Sequence, residues 1–226
     1  MLKRLIPILL VAAFILPATS CHASKPAAQS VAPAPTIITS TVNLNSQFSC
    51  IDAGSIFDIE IKQGPQKIEI TSTAEMIEAT RFSIKGQSIL GISLTRNFRG
   101  NNIPPIKISI TVPNIRSLIG NGAAKFSVKG KFGAERLTIR GAGAATFNFS
   151  NLTCTDLSVN LSGASTFDSP AVDCDECELK LSGGSSAEIN RLTCTTLDVE
   201  ASGAGNVTVG SVICNEIETE ASGGSN

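Results

Sequence analysis

Hydrophobic positions in the second half of the chain alternate with a period of two and then recur as a block. Leu157, Val159 and Leu161 alternate with Ser158, Asn160 and Ser162; two units later Leu197, Val199 and Ala201 alternate with Asp198, Glu200 and Ser202. Side chains two apart share one face of a strand, so the first set points to a core and the second to solvent. Each unit also carries a shorter apolar pair, Leu152 and Cys154 or Leu192 and Cys194, at an odd offset from the long run. An odd offset between two inward-facing runs requires a turn. Gly122, Gly143, Gly163, Gly183, Gly203 and Gly223 recur at steps of 21, 20, 20, 20 and 20 residues, and Cys154, Cys174, Cys194 and Cys214 keep the step of 20.

A unit of short strands exposes edges that only the next unit can pair, so such units stack. Successive coils then lie parallel, about 4.8 Å apart, each residue above its counterpart one unit earlier. The expected fold is all-β, a right-handed parallel β-helix with coils of about 20 residues. Gly143, Gly163, Gly183, Gly203 and Gly223 are expected at structural turns that need unusual dihedrals or close backbone approach. In the small-or-apolar series they follow Leu161 and its equivalents. The units are rich in Thr, Val, Ser and Gly and lack a period of 3.6, which disfavours helices.

Upstream, strand-like runs at 55–61, 67–71, 89–94 and 106–112 are irregularly spaced. Gln63-Gly64-Pro65, Lys85-Gly86 and Arg99-Gly100-Asn101-Asn102 punctuate them as turns. These runs read as the first, wider coils of one domain spanning 46–226, with regular repeats from about 115. A separate small β-sandwich is the alternative.

The N-terminus carries Lys3 and Arg4 and then an apolar stretch over 5–18, shorter than a membrane-spanning helix needs. Residues 1–20 read as a signal peptide. Ala18-Thr19-Ser20-Cys21 resembles a bacterial lipoprotein signal, which implies lipid attachment at Cys21 and a membrane anchor. The alternative is ordinary cleavage after Ala23 and a soluble periplasmic protein. Residues 21–45, with an Ala/Pro/Ser-rich segment over 24–35, read as a flexible tether.

Without Cys21, six cysteines remain in a chain expected to be exported, where disulfides are permitted. Stacked neighbours lie within disulfide reach, so Cys154 with Cys174 and Cys194 with Cys214 are candidate staples. The other reading is a ladder of buried thiols acting as small hydrophobes, in keeping with Ala134 in the same slot one coil earlier. One zinc ion cannot be shared by all four, because three coil steps span roughly 14 Å. Cys174-Asp175-Glu176-Cys177 has redox spacing, but Cys177 fills the slot of Leu157 and Leu197, so core packing explains it better.

Charge separates along the chain. Residues 21–150 hold 14 Lys and Arg against 7 Asp and Glu, whereas 151–226 hold 2 against 12. In a solenoid this makes one end basic and the other acidic, which favours head-to-tail self-association. Asp198 and Glu218, and Glu200 and Glu220, are expected to stack like on like, as a solvated acidic face or bridged by a cation such as calcium. Trp and Tyr are absent and the only His is His22, so no histidine-based triad or metal centre can form in the domain. No catalytic residue, cofactor or metal site is expected. Export and a modest basic half argue against nucleic acid as a partner.

Asn121-Gly122-Ala123, Leu161-Ser162-Gly163-Ala164-Ser165, Leu181-Ser182-Gly183-Gly184-Ser185 and Ala201-Ser202-Gly203-Ala204-Gly205 together resemble the head GIN domain of auto-transporter adhesins. Phe57-Asp58-Ile59-Glu60-Ile61 and the run from Pro105 to Pro113 match in kind. The resemblance covers about residues 50–226 and implies an exported β-helical protein of bacterial envelopes. The expected function is a non-catalytic envelope protein that binds or adheres through a rigid ladder surface, its partner an envelope, glycan or protein ligand. Two alternatives are a carbohydrate-binding or polysaccharide lyase-like β-helix and a head-to-tail structural element. The expected location is the bacterial cell envelope, as an outer-membrane lipoprotein.

Overall fold

Inward apolar and outward polar residues keep their alternation from coil to coil, and the chain stacks accordingly. The computed structural model describes residues 35–86, 88–95 and 103–226. The expected signal peptide, Cys21 and residues 21–34 of the tether lie outside the described residues. The described strands form one continuous sheet wound into a β-solenoid of about 5 turns.

Each regular coil has three sides. In Thr146–Leu161, Phe147 and Phe149 point inward on the first side, Leu152 and Cys154 on the second, and Leu157, Val159 and Leu161 on the third. The following coils comprise Thr166–Ser169, Val172–Asp173 and Glu176–Leu181, then Ser186–Thr193 and Thr196–Ala201, then Asn206–Ile213 and Glu216–Ala221. Leu157, Cys177, Leu197 and Ile217 stack in parallel register.

The single step of 21 has a local cause. Register between Lys125–Gly141 and Thr146–Leu161 shifts between Phe149 and Asn151, so Lys129 and Gly130 face one residue, Ser150. This is a β-bulge, and Gly130 supplies its left-handed backbone at φ 79°.

The turn glycines are constrained twice over. Gly163 has φ 72°, and a Cβ there would sit 2.6 Å from the carbonyl oxygen of Gly143 in the coil before. Gly163 itself is exposed, contrary to its place in the inward series; Ser165, two residues on, is the buried member. At the start of the column Ser55, at φ 81°, lies against Gly122.

That serine shows how the upstream part is built, and it differs from a set of wider coils. One coil is assembled from two distant segments: Phe57–Gln63 pairs with Lys125–Gly141 on the first side, and Ser117–Asn121 pairs with it on the third. Cys50–Gly54 and Ile106–Val112 form the coil beneath in the same split fashion. Between the segments the chain detours through Lys67–Thr73, a helix Ala74–Ala79 and the hairpin Thr80–Lys85 with Ile89–Leu94. Thr73 caps that helix by accepting from the Met76 N–H. Where the chain departs, the Gln63 amide replaces the missing strand. Its Nε2 donates to the carbonyls of Pro113 (3.0 Å) and Gly133 (3.1 Å), and its Oε1 accepts from the Gly133 N–H.

The end of the expected tether also differs. Ile37–Thr41 is a strand, antiparallel to Lys67–Thr73. Its β-branched residues favour extended backbone, and the edge of Lys67–Thr73 offers unpaired groups.

Size complementarity fills the core. Phe126 and Phe147 stack with ring centroids 5.0 Å apart, and their column continues through Phe167, Ala187 and Val207. Facing the rings, Gly141 has no room for a Cβ, which would lie 3.0 Å from Phe147 Cε2. As the phenylalanine column thins, Leu161 and Leu181 take the slot of Gly141.

Gly163→Ala should therefore cost about 2–3 kcal/mol, because left-handed strain adds to a backbone clash. Ser55→Gly should stabilise by about 1 kcal/mol by releasing that strain alone. Denaturant midpoints measure both; an unchanged midpoint for Gly163→Ala would remove the turn constraint.

Candidate functional site

The turn that closes each coil is small, polar and repeated. Ser165 Oγ donates to the Ser162 carbonyl at 2.8 Å, Ser185 Oγ to Ser182 at 2.9 Å and Ser225 Oγ to Ser222 at 2.9 Å. The preceding serines reach back one coil: Ser162 Oγ donates to Gly141 and Ser182 Oγ to Leu161, at 3.1 and 3.4 Å. Ser165 and Ser185 face the core, whereas Ser162, Ser182, Ser202 and Ser222 face outward, where a larger residue would fill the angle between the third side and the turn. With serine there, the angle stays open as a groove along the axis.

The groove encloses about 880 Å³ and crosses successive coils. One wall is the hydroxyl series Ser162, Ser182, Ser202 and Ser222. The other carries outward residues of the third side, reading Ile119, Arg140, Asn160, Lys180, Glu200 and Glu220 along the axis. Ser162, Ser182 and Ser202 spend their hydrogens on carbonyls of the coil before and keep oxygen lone pairs for an incoming donor.

A polar network stiffens the charged wall. Arg136 pairs with Asp156, Ser158 Oγ donates to Glu178 at 2.7 Å, and Asn160 Nδ2 donates to Ser158 Oγ at 3.0 Å. Lys180 Nζ lies 2.9 Å from Glu178 and 3.0 Å from Glu200, so one ammonium joins two coils. These carboxylates raise the Lys180 pKa. Glu178 is held below the usual carboxylate range, first by the Lys180 hydrogen bond and then by Ser158. Asp198 stacks on Glu218 and Glu200 on Glu220, the register expected from the repeat. Among the described residues no group of three or more His, Cys, Asp or Glu is arranged to hold a metal ion.

The expected thiol ladder lies on the corner between the second and third sides. Cys154 stacks on Ala134 as the step implies; Cys154, Cys174 and Cys194 are buried and Cys214 is half-buried. Cys177 is buried in the column of Leu157 and Leu197, as core packing requires. None of the six described cysteines is cross-linked. Cys174 lies below an ordinary thiol because Cys154 and Cys177 both donate to its sulfur, which raises theirs.

A second hollow of about 400 Å³ lies on the first side of the basic half, between Lys107, Lys125, Lys129, Asp58 and Glu60. Asp58 stacks between Lys107 and Lys125, which neutralises much of its field. Sequence reasoning found neither hollow, although the outward positions Asn160, Lys180 and Glu200 were legible as a stack.

Acidification should weaken the inter-coil network. Glu178 is depressed in the folded chain, so its contribution is full above the unfolded value of about 4.3 and is lost as pH falls through the folded value. The gap in melting temperature between the native chain and Glu178→Gln should be largest near neutral pH and close as pH falls through the depressed folded value. A gap independent of pH would show that the charge contributes nothing.

The model of the family described as "Putative auto-transporter adhesin, head GIN domain" matches residues 47–226. Among solved structures, a putative adhesin from Bacteroides fragilis NCTC 9343 aligns with TM-score 0.60 at 18% identity, covering 86% of this chain and 99% of that one. A putative adhesin from Parabacteroides merdae ATCC 43184 aligns with TM-score 0.47 at 15% identity, covering 84% and 94%. A putative lipid binding protein from Parabacteroides distasonis ATCC 8503 gives 0.46 at 15%, covering 84% and 95%. The first likeness shows a common fold. No curated protein matches the chain in sequence.

Proposed function

The chain belongs to the head GIN domain family, and on that premise we propose that it is a non-catalytic adhesin of the bacterial cell envelope. Its groove binds an extended, neutral, hydroxyl-bearing polymer. The observation that carries this reading is the groove itself, which presents a serine hydroxyl at the same place in coil after coil. A repeating wall suits a repeating ligand. Support for a non-catalytic role comes from Lys180, the one cation among the groove's central wall residues. Two carboxylates keep it protonated, so it is a poor general base. No histidine lies beyond His22 to take that part.

Export rests on the charged, apolar and small-residue order of residues 1–21, and anchoring on lipid at Cys21. Opposite charge in the two halves supports a second reading, head-to-tail self-association, which salt would weaken.

Two experiments test the proposal. Protease added to intact cells should cleave the domain, and mass spectrometry of the mature N-terminus should find lipid on Cys21. Protection until the cells are permeabilised would end the case for direct adhesion. In a panel of neutral and acidic polysaccharides, the chain should retain neutral ones. Asn160→Trp, which fills the groove, should weaken that retention about tenfold or more, while Thr208→Trp on the first side leaves it unchanged. Equal binding by both variants would place the ligand elsewhere.

A further inference from the structure

Cys194 and Cys214 meet Sγ to Sγ at 3.2 Å, across the boundary between two coils. They occupy one slot: Thr193 pairs with Ile213 just before them and Thr196 with Glu216 just after. Parallel neighbours stand about 4.8 Å apart, within the Cα range of a disulfide. The sulfurs need to approach by only about 1 Å to reach bonding distance.

The two thiols are unequal. Cys194 is buried, and burial, with the Cys214 contact adding, pushes its pKa up to about 12. Cys214 is half-buried, its sulfur 3.3 Å from the Thr195 carbonyl and 3.0 Å from that of Glu216. The coil that carries Cys214 is also the least buried: Ile213 is 63% and Ile217 54% exposed, against 5% for Leu197 one coil earlier.

We propose that Cys194 and Cys214 are a dithiol that closes into a disulfide between coils and staples residues 206–221 to the rest of the solenoid. The co-reactant is a disulfide-bearing oxidant, whose supply in the cell rests on the export proposed above. Cys214, the more accessible, loses its proton and attacks one sulfur of the oxidant, whose S–S bond breaks and releases a thiolate. Cys194 then loses its proton and attacks Cys214 Sγ in the mixed disulfide, releasing the second thiolate. The protein gives up two protons and two electrons, and the oxidant becomes two thiols.

The test uses the full chain, purified reduced and folded, then incubated with oxidised glutathione, quenched in acid, alkylated and digested with a protease specific for acidic residues. Such a protease cuts at Asp198 and Glu200, which separates the two cysteines. The expected result is a linked peptide pair carrying Cys194 and Cys214, about 2 Da lighter than the two free peptides. The pair should vanish in both Cys194→Ser and Cys214→Ser. The oxidised chain should melt a few degrees above the reduced one, and amide exchange over 206–221 should slow. Full alkylation of both cysteines after incubation, a persistent glutathione adduct on Cys214, or a link to another cysteine would each overturn the proposal. The same digest on protein taken from cells reads export separately. A pair that forms in the purified chain but is reduced in cells would overturn the export reading while the dithiol stands.

Discussion

Hydrogen bonding between coils, along the axis of the solenoid, is the constraint from which the rest of the molecule follows. A coil's backbone groups point at the coils above and below, so no coil is satisfied alone. Pairing in register fixes coil length, because one surplus residue would turn every later side chain inside out. The chain therefore absorbs each irregularity where it arises. The extra residue at Lys129 and Gly130 is confined to a bulge, and register resumes at Lys131. Where the strand leaves after Gln63, a side-chain amide takes over the backbone's donors and acceptors. Ser55 accepts a left-handed backbone so that the turn column can begin in line with Gly122.

Pairing in register also explains what was legible in the sequence. A column such as Leu157, Cys177, Leu197 and Ile217 is written as a constant step, so the solenoid, its turns and the cysteine slot could be read directly. The upstream part was opaque for the same reason. Its coils are joined from segments such as Phe57–Gln63 and Ser117–Asn121, with a helix and a hairpin between them, and no constant step survives such a detour. The strand Ile37–Thr41 was hidden differently: all five residues are exposed, so it carries no alternation. Its β-branched composition was the available signal. The groove was not legible because it is an angle between two sides of a coil. Strand alternation says which residues face out, but not where the outward surface is concave.

Stacking like on like has unequal consequences for different chemistry. Phenylalanine on phenylalanine gains ring contact, and serine or glycine in the turn keeps the coils close. Acid on acid is unfavourable, and the pairs Asp198 with Glu218 and Glu200 with Glu220 carry that cost on the outward face. Lys180 shows the remedy one coil earlier. Placed in the slot between Asn160 and Glu200, it offers its ammonium to Glu178 beside it and Glu200 above it, so a column that would repel instead holds two coils together.

The same arithmetic bears on what the groove can hold. Its hydroxyl wall is serine from Ser162 to Ser222, with Ala142 in the slot at the coil of Arg140, whereas its charged wall runs from Arg140 through Lys180 to Glu200 and Glu220. A polymer of uniform negative charge would gain at the Arg140 end and lose at the Glu220 end, and a uniformly positive one would do the reverse. Lys180 is outnumbered by its two carboxylates, so the middle of the groove keeps a net negative charge and adds to the penalty of an anionic chain. A neutral chain rich in hydroxyls pays neither penalty and meets a serine oxygen in each of the four coils from Ser162 to Ser222. Periodicity then sets affinity through the number of coils engaged, and the charge gradient is left to set the direction in which an asymmetric chain lies.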